Sequence, residues 1–142
     1  MLRSLGLAGL VLVLAACDPQ TATTGSGVTS SSAPASVTAI GDTPWHLVRV
    51  GDEDVSRDEV VLRMAGGFIS GQGPCNVLNA NYLGDAPEFR VETLVSTKMM
   101  CDRLGLEQRL IDGLMNARNA SVANRRLTIT GEDSPTLVFE PA

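Results

Sequence analysis

Apolar positions along the chain fall into three regimes. Leu5 to Ala16 is an unbroken apolar run, Asp18 to about Gly41 carries almost no bulky apolar residue, and beyond Gly41 short strand-like segments alternate with turn signals. In this last part Trp45 to Val50 sets Trp45, Leu47 and Arg49 against His46, Val48 and Val50, and Val60 to Met64 forms a second segment after the charged turn Gly51 to Glu59. The pattern predicts a hairpin, followed after Gly66-Gly67 by a third strand over Phe68 to Ser70. Gly71-Gln72-Gly73-Pro74 marks a turn, Asn79 to Leu83 and Glu88 to Thr93 read as further strands, and Gly84 to Pro87 parts them. The period then lengthens. Leu106, Leu110 and Leu114 recur every four residues with Ile111 and Met115 alongside, which predicts a helix from about Asp102 to Ala117. Asp102 is its expected N-cap, Gly105 weakens its first turn, and Arg103, Glu107, Arg109 and Asp112 lie mostly off the apolar face. Strands return over Ser121 to Ala123, Arg126 to Thr130 and Leu137 to Glu140.

Five strands, a helix and three strands joined by short turns predict an α+β domain. Its architecture is an antiparallel sheet, or a partly closed small barrel, with one packed helix. Leu106, Leu110, Ile111, Leu114 and Met115 should face a sheet lined by Trp45, Leu47, Val61, Phe68, Leu127, Ile129 and Val138. The aromatics number only five, so aliphatic side chains and methionine must fill most of this core.

The leading apolar run is twelve residues behind a lone Arg3. As a helix it spans ~18 Å, short of the ~30 Å hydrocarbon core, so it reads as a signal peptide over residues 1–16 and not as a membrane span. It ends in Leu14-Ala15-Ala16-Cys17, which resembles the bacterial lipobox, where the cysteine is acylated and becomes the first residue. The competing reading is an ordinary signal peptide with a chance cysteine. Residues 17–41 then form the acylated Cys17 and a flexible Ser/Thr/Gly/Pro-rich tether, too poor in apolar surface to offset its ordering entropy. Its 24 residues from Asp18 give an r.m.s. reach of about 25–30 Å. Residues 42–142 are left as one domain with one modest core. The expected location is the bacterial envelope, lipid-anchored and facing the periplasm. Asp18 resembles the inner-membrane retention signal of enteric bacteria, but Pro19 makes that rule unsafe, and the choice between inner and outer membrane stays open.

Charge narrows the partners. The whole chain has 11 Lys+Arg against 16 Asp+Glu; loss of Arg3 with the signal peptide leaves 10 against 16, a net charge of −6. This argues against nucleic acid and against docking on anionic lipid through a basic patch. The expected partners are the membrane, through the N-terminal lipid, and an envelope protein or a small apolar ligand.

Four motifs carry a family resemblance. Thr43-Pro44-Trp45-His46-Leu47 opens the domain, and Ser70-Gly71-Gln72-Gly73-Pro74-Cys75-Asn76 lies in its middle. Ser96-Thr97-Lys98-Met99-Met100-Cys101 precedes a helix containing Glu107, and Leu127-Thr128-Ile129 then Leu137-Val138-Phe139 end the chain. Together, over about Asp42 to Glu140, they resemble the META/HslJ domain. The family often has glycine at the position of Pro74 and a polar residue at that of Val77. The resemblance implies a small barrel-like α+β domain of bacterial envelope lipoproteins, linked to heat response and novobiocin tolerance and similar in structure to the lipoprotein pilots of secretion pores. It implies no catalytic residues.

With Cys17 acylated, Cys75 and Cys101 are the two cysteines left in an oxidising compartment, where a disulfide is expected. The alternatives are a metal pair and a catalytic thiol. Two cysteines and the single histidine, His46, fall short of a structural zinc site, so neither metal nor cofactor is expected. A His46 and Cys101 dyad would make a thiol-dependent hydrolase, the reading that competes with a non-catalytic module. The acidic run Asp52 to Asp54 and the pair Glu88 and Glu92 read as solvated charges, and Gly71-Gln72-Gly73 is too short for a dinucleotide fingerprint. Asn76, Thr97 and Lys98 are the candidate binding residues, with the alternative that Asn76 and Thr97 tie turn backbones together. The expected function is a membrane-anchored, non-catalytic binding or structural-support module in envelope stress or drug tolerance. An apolar-ligand carrier or pilot-like protein is the alternative.

Overall fold

The computed structural model describes residues 40–142; Cys17 and the expected signal peptide and tether up to residue 39 lie outside the described residues. The strands are β1 (Pro44–Val50), β2 (Glu53–Asp54), β3 (Val61–Ala65), β4 (Phe68–Gln72), β5 (Val77–Leu83), β6 (Arg90–Ser96), β7 (Ala117–Ala123), β8 (Arg126–Gly131) and β9 (Leu137–Pro141). The helix α1 (Leu104–Met115) connects β6 to β7. The strands form one antiparallel sheet in the order β6-β5-β4-β3-β1-β9-β8-β7, with β2 as a short addition to β1. Two-residue loops set the tight hairpins. Asn124 and Arg125 both take positive φ, 51° and 60°, between the paired Ala123 and Arg126, the backbone of a type I′ turn whose twist matches the strands.

The sheet curls until its two ends meet. Just before β6, the Phe89 N–H donates to the Arg118 carbonyl at 3.2 Å, and the Ala120 N–H donates to the Pro87 carbonyl at 2.9 Å. Glu88 and Asn119 form the bridging pair. The result is a half-barrel with α1 packed against β1, β6, β8 and β9. Trp45, Leu47, Leu62, Leu127 and Phe139 are buried together with Leu106, Leu110 and Leu114 of the helix. Among the described residues no helix is long and apolar enough to cross a membrane.

Several expected positions move, each for a local reason. Phe68 is 63% exposed, because Met64 pairs with Ile69 across the Gly66–Gly67 loop, so Ile69 takes the interior and Phe68 the outer face. Val61 shares its face with exposed Arg63 and is only half-buried, while Leu62 and Met64 point in. Val138 is likewise half-buried between inward Leu137 and Phe139. A bulge between Leu47 and Arg49, opposite Phe139 and Val138, brings Val50 inside and leaves Arg49 outside. On α1 the buried face centres on Leu110; at about 100° per residue Met115 falls well around the helix and is exposed, and Ile111 is partly buried at its edge. Ile40, expected in the tether, is fully buried, and its carbonyl accepts the Trp45 indole N–H at 2.9 Å.

Further shifts are at element ends. The helix begins after Arg103 and not at Asp102, with no side-chain cap. β5 and β7 start earlier than expected, and β6 ends later. The acidic turn holds the short β2, whose Glu53 pairs with Arg109 and, at 3.7 Å, with Arg103, while Asp58 receives both Nε and Nη2 of Arg103 at 2.6 Å. The hydrogen bond to Asp58 holds the Arg103 guanidinium above its ordinary pKa. These exposed pairs dock the turn on the helix and add little stability.

Candidate functional site

Gly71 and Gln72, expected in a turn, are instead the paired end of β4, and the end of β4 and the turn after it, Gly73 to Cys75, enter close quarters. A β-carbon at Gly71 would lie 2.2 Å from the Val61 carbonyl oxygen, so only glycine lets β4 lie this close to β3 there. One at Gly73 would lie 3.0 Å from the Asn76 carbonyl and 3.2 Å from Glu107 Oε2. The second glycine therefore leaves room for a carboxylate.

Glu107, in the first turn of α1, is only 2% exposed. Its Oε2 accepts the backbone N–H groups of Cys75 at 2.9 Å and Asn76 at 2.7 Å, and its Oε1 accepts the Asn76 side-chain amide at 2.5 Å. Asn76 is equally buried and passes the connection on. Its Oδ1 accepts the Thr97 hydroxyl at 2.8 Å and the Met99 N–H at 2.7 Å, and the Thr97 Oγ1 accepts the Val77 N–H at 3.2 Å. One buried carboxylate and one buried amide thus join the turn before β5, the loop after β6 and the first turn of α1. Such ties are strong because a buried donor without an acceptor is costly.

A disulfide joins the same turn and loop, Cys75 to Cys101, with Cα atoms 5.9 Å apart, inside the usual bridging range. Lys98 is exposed and makes no hydrogen bond or ion pair among the described residues. Asn76 and Thr97 therefore meet in one network, whereas Lys98 stands outside it. The sequence reading missed Glu107 by placing it mostly off the apolar face. Its spacing of three and seven residues from Leu110 and Leu114 is the signal that puts it on the buried side.

The structure does not join His46 to Cys101. The Cys101 sulfur is bonded to Cys75, and the His46 Nε2 is buried with no hydrogen-bond partner. Among the described residues no three His, Cys, Asp or Glu side chains converge as metal ligands would. Replacing both Cys75 and Cys101 by alanine is expected to lower stability by about 2–4 kcal/mol, since the bridge closes a loop of 26 residues' separation. Urea denaturation measures the loss, and thiol titration of the unreduced protein should find neither sulfur free.

A family model described as the META domain matches residues 37–142. The NMR structure of a protein from Burkholderia xenovorans is similar at a TM-score of 0.58 and 20% identity, covering 72% of this chain and 83% of that one. A second protein solved by NMR is similar at a TM-score of 0.59 and 21% identity, covering 70% and 88%. At these identities the likeness speaks for the fold alone. No curated protein matches the chain significantly.

Proposed function

Because the chain belongs to the META domain family, we propose that it is a membrane-anchored envelope lipoprotein whose domain is a non-catalytic binding module serving envelope stress or drug tolerance. The observation that carries this reading is the loop after β6. Met99 is 63% and Met100 85% exposed, yet the loop holding them is fixed by Asn76 on one side and the Cys101 disulfide on the other. Exposed methionines are adaptable contact surface, and a loop already ordered loses less entropy when a partner closes on it. With both sulfurs bonded to each other, neither supplies the thiolate a cysteine nucleophile needs.

A photo-crosslinking residue at Met100 should capture a discrete envelope partner in intact cells, and one at Arg125, in the turn between β7 and β8, should not. Equal, diffuse labelling from both positions would reject the loop as the contact. The anchor has its own test. Cys17→Ser should move the protein from the membrane to the soluble fraction or leave its signal uncleaved, and mass spectrometry of the native protein should find an acylated Cys17 at its N-terminus. An unmodified N-terminus at another residue would refute lipidation.

A further inference from the structure

We propose that the groove at the seam of the half-barrel binds a phosphate group between Arg90 of β6 and Arg118 of β7. These strands lie at opposite ends of the sheet, and only its curling brings the two arginines to one place. The backbone bonds from Phe89 to Arg118 and from Ala120 to Pro87 fix the seam on which both stand. The groove is open, about 320 Å³, and is lined by Leu83, Gly84, Glu88 and Phe89 besides the arginines. Its volume is at the lower end of small-molecule sites.

The guanidinium groups make the site. Arg103, Arg109 and Arg126 each hold a carboxylate, but Arg90 and Arg118 hold none among the described residues. Arg118 donates one Nη1 bond to the Ala117 carbonyl at 2.8 Å and keeps the rest of its fork for a ligand. In a chain of net charge −5, two guanidinium groups against the single carboxylate of Glu88 leave this groove with one positive charge in excess. A phosphate, with three acceptor oxygens and up to two charges, satisfies two forks; a carboxylate has oxygens for one. Glu88 lines the same groove unpaired and opposes the anion, so it lowers the affinity. Half-exposed Leu83 and buried Phe89 give the phosphate an apolar flank, which fits the monoester headgroup of phosphatidic acid as well as a soluble phosphate monoester.

The test titrates the full chain bearing Cys17→Ser with inorganic phosphate and follows the amide resonances of Gly84, Glu88, Phe89, Arg90 and Arg118. Saturable shifts are expected. Arg90→Gln and Arg118→Gln should each weaken binding roughly tenfold or more, the value of a charge-assisted hydrogen bond, and Glu88→Gln should tighten it. Unchanged resonances elsewhere show that a variant is folded, and Arg90→Gln suffices if Arg118→Gln is not. Sedimentation with vesicles containing phosphatidic acid separates the sources: vesicle binding lost in Arg90→Gln assigns a lipid headgroup, and phosphate binding without vesicle binding assigns a soluble ester. Absence of saturable shifts, or shifts that survive Arg90→Gln undiminished, would overturn the proposal.

Discussion

Glu107→Ala is expected to destabilise the domain by about 4 kcal/mol or more, a large part of the ~5–15 kcal/mol available to a domain of this size. The substitution removes the acceptor for three donors, the part-buried N–H of Cys75 and the buried N–H and side-chain amide of Asn76. Each such orphan costs about 1–3 kcal/mol, and water reaching the vacated space recovers only part of it. Glu107→Gln separates hydrogen bonding from volume. Glutamine fills the same space, but one end of its amide is a donor, and both carboxylate oxygens of Glu107 face donors. Neither flip of the glutamine satisfies them all, so about 2–3 kcal/mol should still be lost. Urea denaturation with the disulfide intact measures both variants. A Glu107→Gln protein as stable as the parent would show that the network is dispensable.

The fold class was legible because alternation and the four-residue leucine spacing are dictated by burial itself. Trp45 and Leu47 alternate with His46 and Val48, and Leu106, Leu110 and Leu114 form a stripe; burial acts on these positions whatever the neighbouring strand does. Errors arose where a neighbour decides the face. Phe68 is more hydrophobic than most of its neighbours, yet the two-residue loop before it fixes its register against Ala65, which sets Ile69 opposite Met64 and turns Phe68 outward. Val61 could have been assigned from Arg63, two residues on, which must share its face. The bulge after Leu47 inserts a residue that no local pattern in β1 announces, and it exchanges the expected places of Arg49 and Val50.

The candidate site was legible in its pieces and not in its centre. Asn76, Thr97, Cys75 and Cys101 are residue types that end turns or form bridges, and each drew notice in its own segment. Glu107 stands in the motif of the helix after Cys101 but reads as lying mostly off its apolar face, because a glutamate in a first helical turn is ordinarily a solvated partner of the helix dipole. What buries it is the approach of a distant turn whose unpaired N–H groups need an acceptor. That need exists only once β5, β6 and α1 are assembled.

Leu110→Ala is expected to cost about 3–5 kcal/mol, and the size of the loss decides between a packed interior and a ligand cavity. Leu110 is fully buried at the centre of the helix face that meets β1, β6, β8 and β9. In a packed core its truncation removes apolar area from contact and leaves a void that the stiff sheet fills poorly, so the transfer and cavity costs add. In a carrier the same side chain would line a space already open, and its truncation would enlarge that space at less than about 1 kcal/mol while changing uptake of an apolar probe. The packed alternative follows from the buried cluster to which Leu110 belongs: Trp45, Phe139, Leu47, Leu62 and Leu127 are all buried in it, and the grooves described among residues 40–142 are open ones, at the seam and on the outer surface. A denaturation midpoint that falls with an unchanged urea slope reads the cost directly, because an unchanged slope means that the surface exposed on unfolding has stayed the same. A loss of that size would direct the search for ligands away from the interior, to the Met99–Met100 loop and the arginine groove.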